Sequence, residues 1–209
     1  MSGHGRGTNL QAILDACASG TVPAKVAVVI GTREDAPAME RATAAGVPVL
    51  AISPKRFEGN DEAYASAILE ELEERKVGLV CLAGYMRMLP EAIVNRYKHA
   101  VMNVHPALLP LFGGKGMYGE HVHRAVLESG MKVTGCTVHF VDYEYDTGPI
   151  IHQQCVRVLE DDTPETLAAR VLPKEHAAYV EAIQLFAEGS IRVEERRVRI
   201  LSRSADIAS

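Results

Sequence analysis

The chain has 209 residues, 47% of them hydrophobic, and a formal charge of −5 from 22 basic and 27 acidic side chains. That fits one ordinary globular domain, or one with a small extension, long enough to bury about 70% of the surface of its unfolded form without disulfides or a structural metal. The acidic balance counts against a generic nucleic-acid binder, and an aromatic content of 5% with no Trp counts against an aromatic-lined carbohydrate or single-strand surface. No apolar run approaches the ~20 residues that span a bilayer, and the polar, Gly-rich opening predicts no signal peptide. Cys17, Cys81, Cys136 and Cys155 have no zinc or redox spacing. They read as small hydrophobes in a reduced cytoplasm.

In chain order, β-rich runs alternate with longer helical ones. Residues 8–18 read as a helix with Thr8 as N-cap and Leu10, Ile13 and Leu14 on one face. Residues 25–30 form a strand with almost no polar side chain, as expected of one covered on both faces. A helix over 37–45, closed by Gly46, leads to a strand over 47–52; a charged amphipathic helix over 61–75 leads to a buried strand over 78–82. A short strand over 99–104 runs into His105-Pro106. This rhythm predicts an α/β protein with a doubly wound, mostly parallel sheet. The second half differs. A helix over 119–128 precedes two β-rich runs, 134–141 and 149–159, joined over 142–148 by a long loop with Asp and Gly that reads as a functional hairpin connection. Residues 163–188 form one long helix or a bent pair, capped by Thr163 and kinked or divided at Pro173. Residues 191–200 read as a small hairpin, so the chain divides into a domain over 1–190 and a hairpin and tail over 191–209.

Five stretches carry candidate chemistry. Gly3-His4-Gly5-Arg6-Gly7-Thr8-Asn9 precedes a helix, so its amides and the helix dipole could cradle a phosphate; a flexible tail with a helix cap explains it equally well. Asn103 and His105 lie two apart at a strand's carboxyl end, where alternation aims both side chains the same way and where open sheets bind ligands. An amide and an imidazole so placed can hold a developing oxyanion. Asp146 alone is better read as an Asx-turn; brought to His105, it would orient the ring and raise its pKa above ~6.5. Residues 84–90 could line a pocket for a flat heterocycle, although packing by Met86, Met88 and Leu89 is the simpler reading. Glu175 could bind an amine or a sugar hydroxyl, but a helical Glu is ordinarily solvated.

Taken together, Gly7-Thr8-Asn9-Leu10-Gln11, Leu82-Ala83-Gly84-Tyr85-Met86-Arg87, Asn103-Val104-His105-Pro106-Ala107-Leu108-Leu109-Pro110, the run from Gly135 to Val141 and Asp146-Thr147-Gly148-Pro149-Ile150 resemble the folate-dependent formyltransferases, within them the phosphoribosylglycinamide formyltransferases. The likeness runs from Ser2 to about Glu188. It implies a Rossmann-like fold and transfer of a formyl group from 10-formyltetrahydrofolate, a cosubstrate, to the amine of glycinamide ribonucleotide, with no metal. It also implies Asn103, His105 and Asp146 as catalytic residues, Gly7, Thr8 and Asn9 as a phosphate loop, and Glu175 as a contact to the glycinamide substrate. Met86, Arg87, Met88 and Leu89, with Val141, Asp142, Tyr143, Glu144 and Tyr145, match the folate-binding segments. The implied partners are these two small molecules, with no nucleic acid or membrane and with room for a homodimer, in the cytoplasm.

The sequence departs from that pattern in three places. Relatives open with an apolar strand ahead of the Gly-rich loop, whereas this chain opens at the loop itself. The expectation is a sheet lacking that central strand, an apolar slot in its place, and either a start upstream of Met1 or a truncated form. Asp61 stands where many relatives are basic, and Leu172 where some carry Gln. The rival readings are another folate-dependent formyltransferase, a formyltetrahydrofolate deformylase, or a folate- or nucleotide-binding module without catalysis.

Overall fold

The computed structural model describes residues 6–201, so Gly3, His4 and Gly5 of the Gly-rich stretch and the end of the tail lie outside the described residues. Helix α1 (Thr8–Ala18) is followed by β1 (Val29–Gly31), α2 (Pro37–Ala44), β2 (Val49–Ala51), a 3-10 turn at Pro54–Phe57, α3 (Asp61–Glu74), β3 (Val80–Leu82), α4 (Glu91–Arg96) and β4 (Val101–His105). The second half holds α5 (Glu120–Glu128), β5 (Val133–Phe140), β6 (Ile150–Arg157), α6 (Pro164–Ala187), β7 (Ile191–Glu194) and β8 (Arg197–Ile200). None of the described helices is long and apolar enough to cross a membrane.

The molecule has the doubly wound α/β arrangement, and period-2 alternation creates its two faces. Val80, Leu82 and Val101 join α3 and α4 in one apolar cluster, while Met102, Cys136, Val138 and Phe140 join α1 and α6 in another. Strands β1 and β2 pair in parallel, as do β3 and β4. At β5 the direction reverses, and β4–β5–β6 is an antiparallel run. The sheet order is therefore β3-β4-β5-β6-β8-β7, with β1-β2 forming a separate two-stranded sheet. Among the described residues no ladder links β1 to β3. An apolar cavity of about 400 Å³ lies between them, lined by Leu10 and Ile13 of α1, Val29 of β1, Val80 of β3, and Ile183 and Phe186 at the end of α6. This is the slot expected from the sequence. It also explains why the strand expected over 25–30 shortens to Val29–Gly31: only these residues have a partner ladder, to β2.

Two expected helix features take other forms. Thr8 does not cap α1; Gly7 does, in a left-handed conformation with φ 72° and no side-chain bond. Gly7 is required there for a second reason, since a Cβ would lie 3.1 Å from the Cα of Ala38. Pro173 does not divide α6, which runs 24 residues unbroken. Leu167, Val171, Ala178, Tyr179, Ala182 and Ile183 form a buried stripe on both sides of it, each large apolar member contributing about 1.5–3 kcal/mol. Pro173 lies on the exposed side, as does Ala169, the residue whose carbonyl loses its intrahelical bond to the missing Pro N–H. The start of α6 is a capping box in which Thr163 and Thr166 each bond the other's backbone amide. Short α4 was not read from the sequence at all.

Tyr179 fixes α6 to the sheet. It is fully buried, and its hydroxyl reaches the carbonyls of Leu82 (3.0 Å) and Met102 (2.9 Å), on the two parallel strands that end at the cavity described below. Cys136 is buried, and burial pushes its thiol up to about 12, as fits a small packed hydrophobe; Cys155 is exposed. Packing is close where β5 meets β6. A Cβ on Gly135 would lie 1.9 Å from the Gln154 carbonyl oxygen, whereas one on Gly78 would meet nothing within 4 Å. Gly135→Ala is expected to cost about 1–3 kcal/mol or more, read as a fall in Tm, with Gly78→Ala near neutral. Equal Tm values for the two variants would contradict this packing.

Candidate active site

A cavity of about 930 Å³ opens where β3 and β4 end. Asn103, the third residue of β4, and His105, its last, both line it, as alternation requires. Antiparallel β5 places His139 directly opposite Asn103 and Thr137 opposite His105. A register shift at Val138/His139 interrupts the β5–β6 ladder beside these residues, a bulge of the kind that re-aims side chains. The loop between β5 and β6 then returns Asp146 to the same place.

The Asp146 carboxylate is the point of convergence. One oxygen lies 3.5 Å from His105 Nδ1 and accepts the Gly114 amide at 2.9 Å; the other lies 3.5 Å from His139 Nε2. The Asn103 side-chain amide meets His139 Nε2 at 3.3 Å, while His139 Nδ1 faces the Phe140 carbonyl at 2.9 Å. A carbonyl only accepts, so Nδ1 carries the proton, and in the neutral ring Nε2 accepts from Asn103. One Asn103 N–H is thereby fixed and the other is left for the cavity. His105 Nε2 faces the Phe112 carbonyl at 2.8 Å and must donate to it.

Burial dominates the electrostatics. It lowers the pKa of His105, which is 3% exposed, further than the Asp146 charge and the Phe112 carbonyl raise it. The expectation that Asp146 would hold His105 above the ordinary histidine value is thus reversed. Burial would by itself raise Asp146, but His139, His105 and the Gly114 amide together keep it below the usual carboxylate range. Asp146 is ionised, in left-handed backbone with φ 58°.

Behind His105 the chain is clamped. The buried Thr137 hydroxyl donates to the Ala107 carbonyl (2.7 Å) and accepts the Leu109 amide (3.0 Å), while Gln153 donates to both Thr137 (2.9 Å) and the Leu109 carbonyl (3.1 Å). The sequence did not single out His139, Thr137, Gln153 or Gly114 as functional. Three of them sit on the antiparallel strands, so period-2 reading of 133–140 and 150–157 in correct register was the signal that could have found them.

Most other candidates also reach the cavity: Thr8, Asn9 and Glu175, then Met86, Arg87, Met88 and Leu89, and Val141, Asp142, Glu144 and Tyr145. Met86 and Met88 are 39% and 45% exposed, apolar groups held open at its mouth instead of packed in a core. Two residues depart from expectation. Gly7 packs on α2 and does not line the cavity. Tyr143 turns outward and donates to Asn95 at 2.6 Å. Asn9 commits one N–H of its amide to Glu175 (3.1 Å), which leaves one for the cavity, and its side-chain carbonyl oxygen is buried without a partner. Leu172 lines the cavity and Asp61 does not.

Glu175 falls in the apolar stripe of α6. Burial raises its pKa from 4.5 to about 6, against the lowering effect of the Asn9 bond. Such a group's stabilising contribution is complete below the unfolded pKa and is lost as pH rises through the folded one. Glu175 therefore withdraws about 2 kcal/mol of stability between acid and neutral pH. Glu175→Gln should gain on the wild type by about that amount between pH 4.5 and 8 in urea melts; parallel stability curves would show that Glu175 is not desolvated.

A family model described as formyl transferase matches residues 2–183, and the chain belongs to that family. It is 42% identical over 197 residues to the chloroplastic phosphoribosylglycinamide formyltransferase of Arabidopsis thaliana, covering 94% of this chain and 68% of that protein. It is 41% identical over 191 residues to the trifunctional purine biosynthetic protein adenosine-3 of Gallus gallus, covering 91% of this chain but only 18% of that much longer one. Its structure matches glycinamide ribonucleotide transformylase 1 from Symbiobacterium toebii with a TM-score of 0.89 and 49% identity, over 96% of this chain and 93% of that one.

Proposed function

We propose that the protein transfers a formyl group from 10-formyltetrahydrofolate to the primary amine of glycinamide ribonucleotide, a step of purine synthesis. The observation that carries this reading is the convergence of Asn103, His105 and Asp146 on one cavity large enough for two substrates. The kinship with enzymes named for that reaction supports it.

The resting protonation states assign the roles. The substrate amine attacks the formyl carbon, and the carbonyl oxygen becomes an oxyanion. Asn103 supplies the N–H that His139 leaves unused, and His105 supplies the Nε2–H now held by the Phe112 carbonyl, which the formyl oxygen displaces. Asp146, ionised and low in pKa, takes a proton from the attacking nitrogen. As the carbon–nitrogen bond to the folate breaks, that proton goes to the departing nitrogen. One C–N bond forms, one breaks, and Asp146 ends as it began. As His105 gains negative neighbours during the reaction, its protonated form becomes favourable, so the burial that keeps it neutral at rest does not bar it from donating.

Substrate placement is part of the proposal. The start of α1 at Thr8 and Asn9 offers helix N-terminal amides to the phosphate, and Glu175 with the unpaired Asn9 carbonyl offers acceptors to a substrate hydroxyl or amine. Met86 to Leu89 and the segment around Val141, Asp142, Glu144 and Tyr145 offer an apolar wall and backbone for the folate ring.

A folate-dependent formylation assay tests this, run with glycinamide ribonucleotide present and omitted. Formyl transfer should need the acceptor; release of formate without it would instead favour a deformylase. His105→Ala is expected to lower kcat by about 10²–10³ and Asp146→Asn by about 10²–10⁴, with ribonucleotide binding retained in both. Wild-type rates in either variant would remove that residue from the reaction.

A further inference from the structure

The loop that carries Asp146 adopts a shape it does not favour unaided. Asp146 is in the left-handed region, with φ 58°. Two residues on, Gly148 runs so close to β5 that a Cβ there would sit 1.8 Å from the Phe140 carbonyl oxygen. Inside the loop the bonds are local: the Asp142 carboxylate accepts the Tyr143 amide, and Thr147 donates to the Glu144 carbonyl. Tyr143 ties the near side to Asn95. On the far side, beside Asp146, the backbone tether comes from a distant element: the Arg196 guanidinium donates to the Thr147 carbonyl at 2.6 Å.

Arg196 is delivered there by the C-terminal hairpin. It follows Glu195, whose φ of 56° makes the turn between β7 and β8, and it precedes Arg197, which pairs with Glu194 across the hairpin and with Ile150 of β6. Ile150 is the first residue of the strand into which the loop exits. The hairpin is thus joined to the sheet where the loop ends, and its turn projects a cation back over the loop. The formyl transferase match stops at residue 183, before this hairpin begins.

We propose that Arg196 is a positioning residue for the reaction. Acting through the Thr147 carbonyl, it holds Asp146 in the left-handed conformation that aims the carboxylate between His105 and His139. The C-terminal hairpin is then part of the catalytic unit. This rests on the reading of Asp146 as the proton acceptor. Arg196 is exposed and does not line the cavity, so its removal leaves the core and the substrate walls in place.

The test is Arg196→Ala in the full chain, with Arg196→Lys beside it. Arg196→Ala should lower kcat on the order of tenfold, with KM for both substrates within about twofold and Tm nearly unchanged. The acid limb of the rate profile should move to higher pH, because a displaced Asp146 loses the neighbours that hold its pKa down. Lys, which keeps a donor and the charge, should restore much of the rate. In an Asp146→Asn background Arg196→Ala should cost nothing further. Unchanged kcat and pH profile in Arg196→Ala, or the same loss in the Asn background, would overturn the proposal. A wild-type rate for Asp146→Asn would instead sink the role of Asp146 itself and the proposal with it.

Discussion

A carboxylate held between two histidines and a backbone amide is the interaction on which the site depends. Asp146 lies 3.5 Å from His105 and from His139 and accepts the Gly114 amide at 2.9 Å. Four separate stretches of chain therefore meet at one carboxyl group: the end of β4, the far half of β5, the glycine-rich turn after Phe112 and the β5–β6 loop. With the His139 Nδ1 and His105 Nε2 protons both held by backbone carbonyls, the Gly114 amide is the hydrogen bond donated to this buried carboxylate, and a second proton on either ring would add a charged partner.

The sheet makes this convergence possible. Reversal of direction at β5 sets His139 opposite Asn103, so the residue that orients the amide is supplied by strand register and not by a loop. Tyr179 bonds the carbonyls of both parallel strands from beneath, and Thr137 with Gln153 locks the chain that follows His105. The rigid side of the site is built from strands. The other side is built from the Phe112 to Gly119 segment, where Phe112, Gly114, Gly116 and Gly119 all have positive φ and where the Phe112 carbonyl holds the His105 Nε2 proton.

Much of this was legible in the sequence. Alternation of apolar runs gave α1, α2, α3, α6 and the terminal hairpin nearly to the residue, and Asn103 with His105 stood out because two polar groups spaced by two at a strand end must share a side. The hairpin between β5 and β6 was legible, but the antiparallel pairing of β5 with β4 was not, since a hydrophobic pattern is the same read parallel or antiparallel; the places of His139 and Thr137 opposite Asn103 and His105 stayed hidden for that reason. Glu175 was undervalued for a different reason. A lone helical Glu is usually solvated, but at the spacing of Leu167, Val171 and Tyr179 it falls on the apolar stripe and is buried. The sign of the His105 shift was not legible, because the effect of Asp146 depended on the fold bringing it to His105, and the depth of burial that outweighs that charge is a property of the packed chain.

A crystal structure with glycinamide ribonucleotide and a non-transferable analogue of the formyl folate would probe the arrangement most directly. The carbonyl oxygen of the analogue should lie about 2.7–3.2 Å from both Asn103 Nδ2 and His105 Nε2, with the Phe112 carbonyl displaced and the amine next to Asp146. If Phe112 still held His105 while the carbonyl oxygen sat well outside hydrogen-bond reach of Asn103, these three side chains would not be the ones that act on the formyl group.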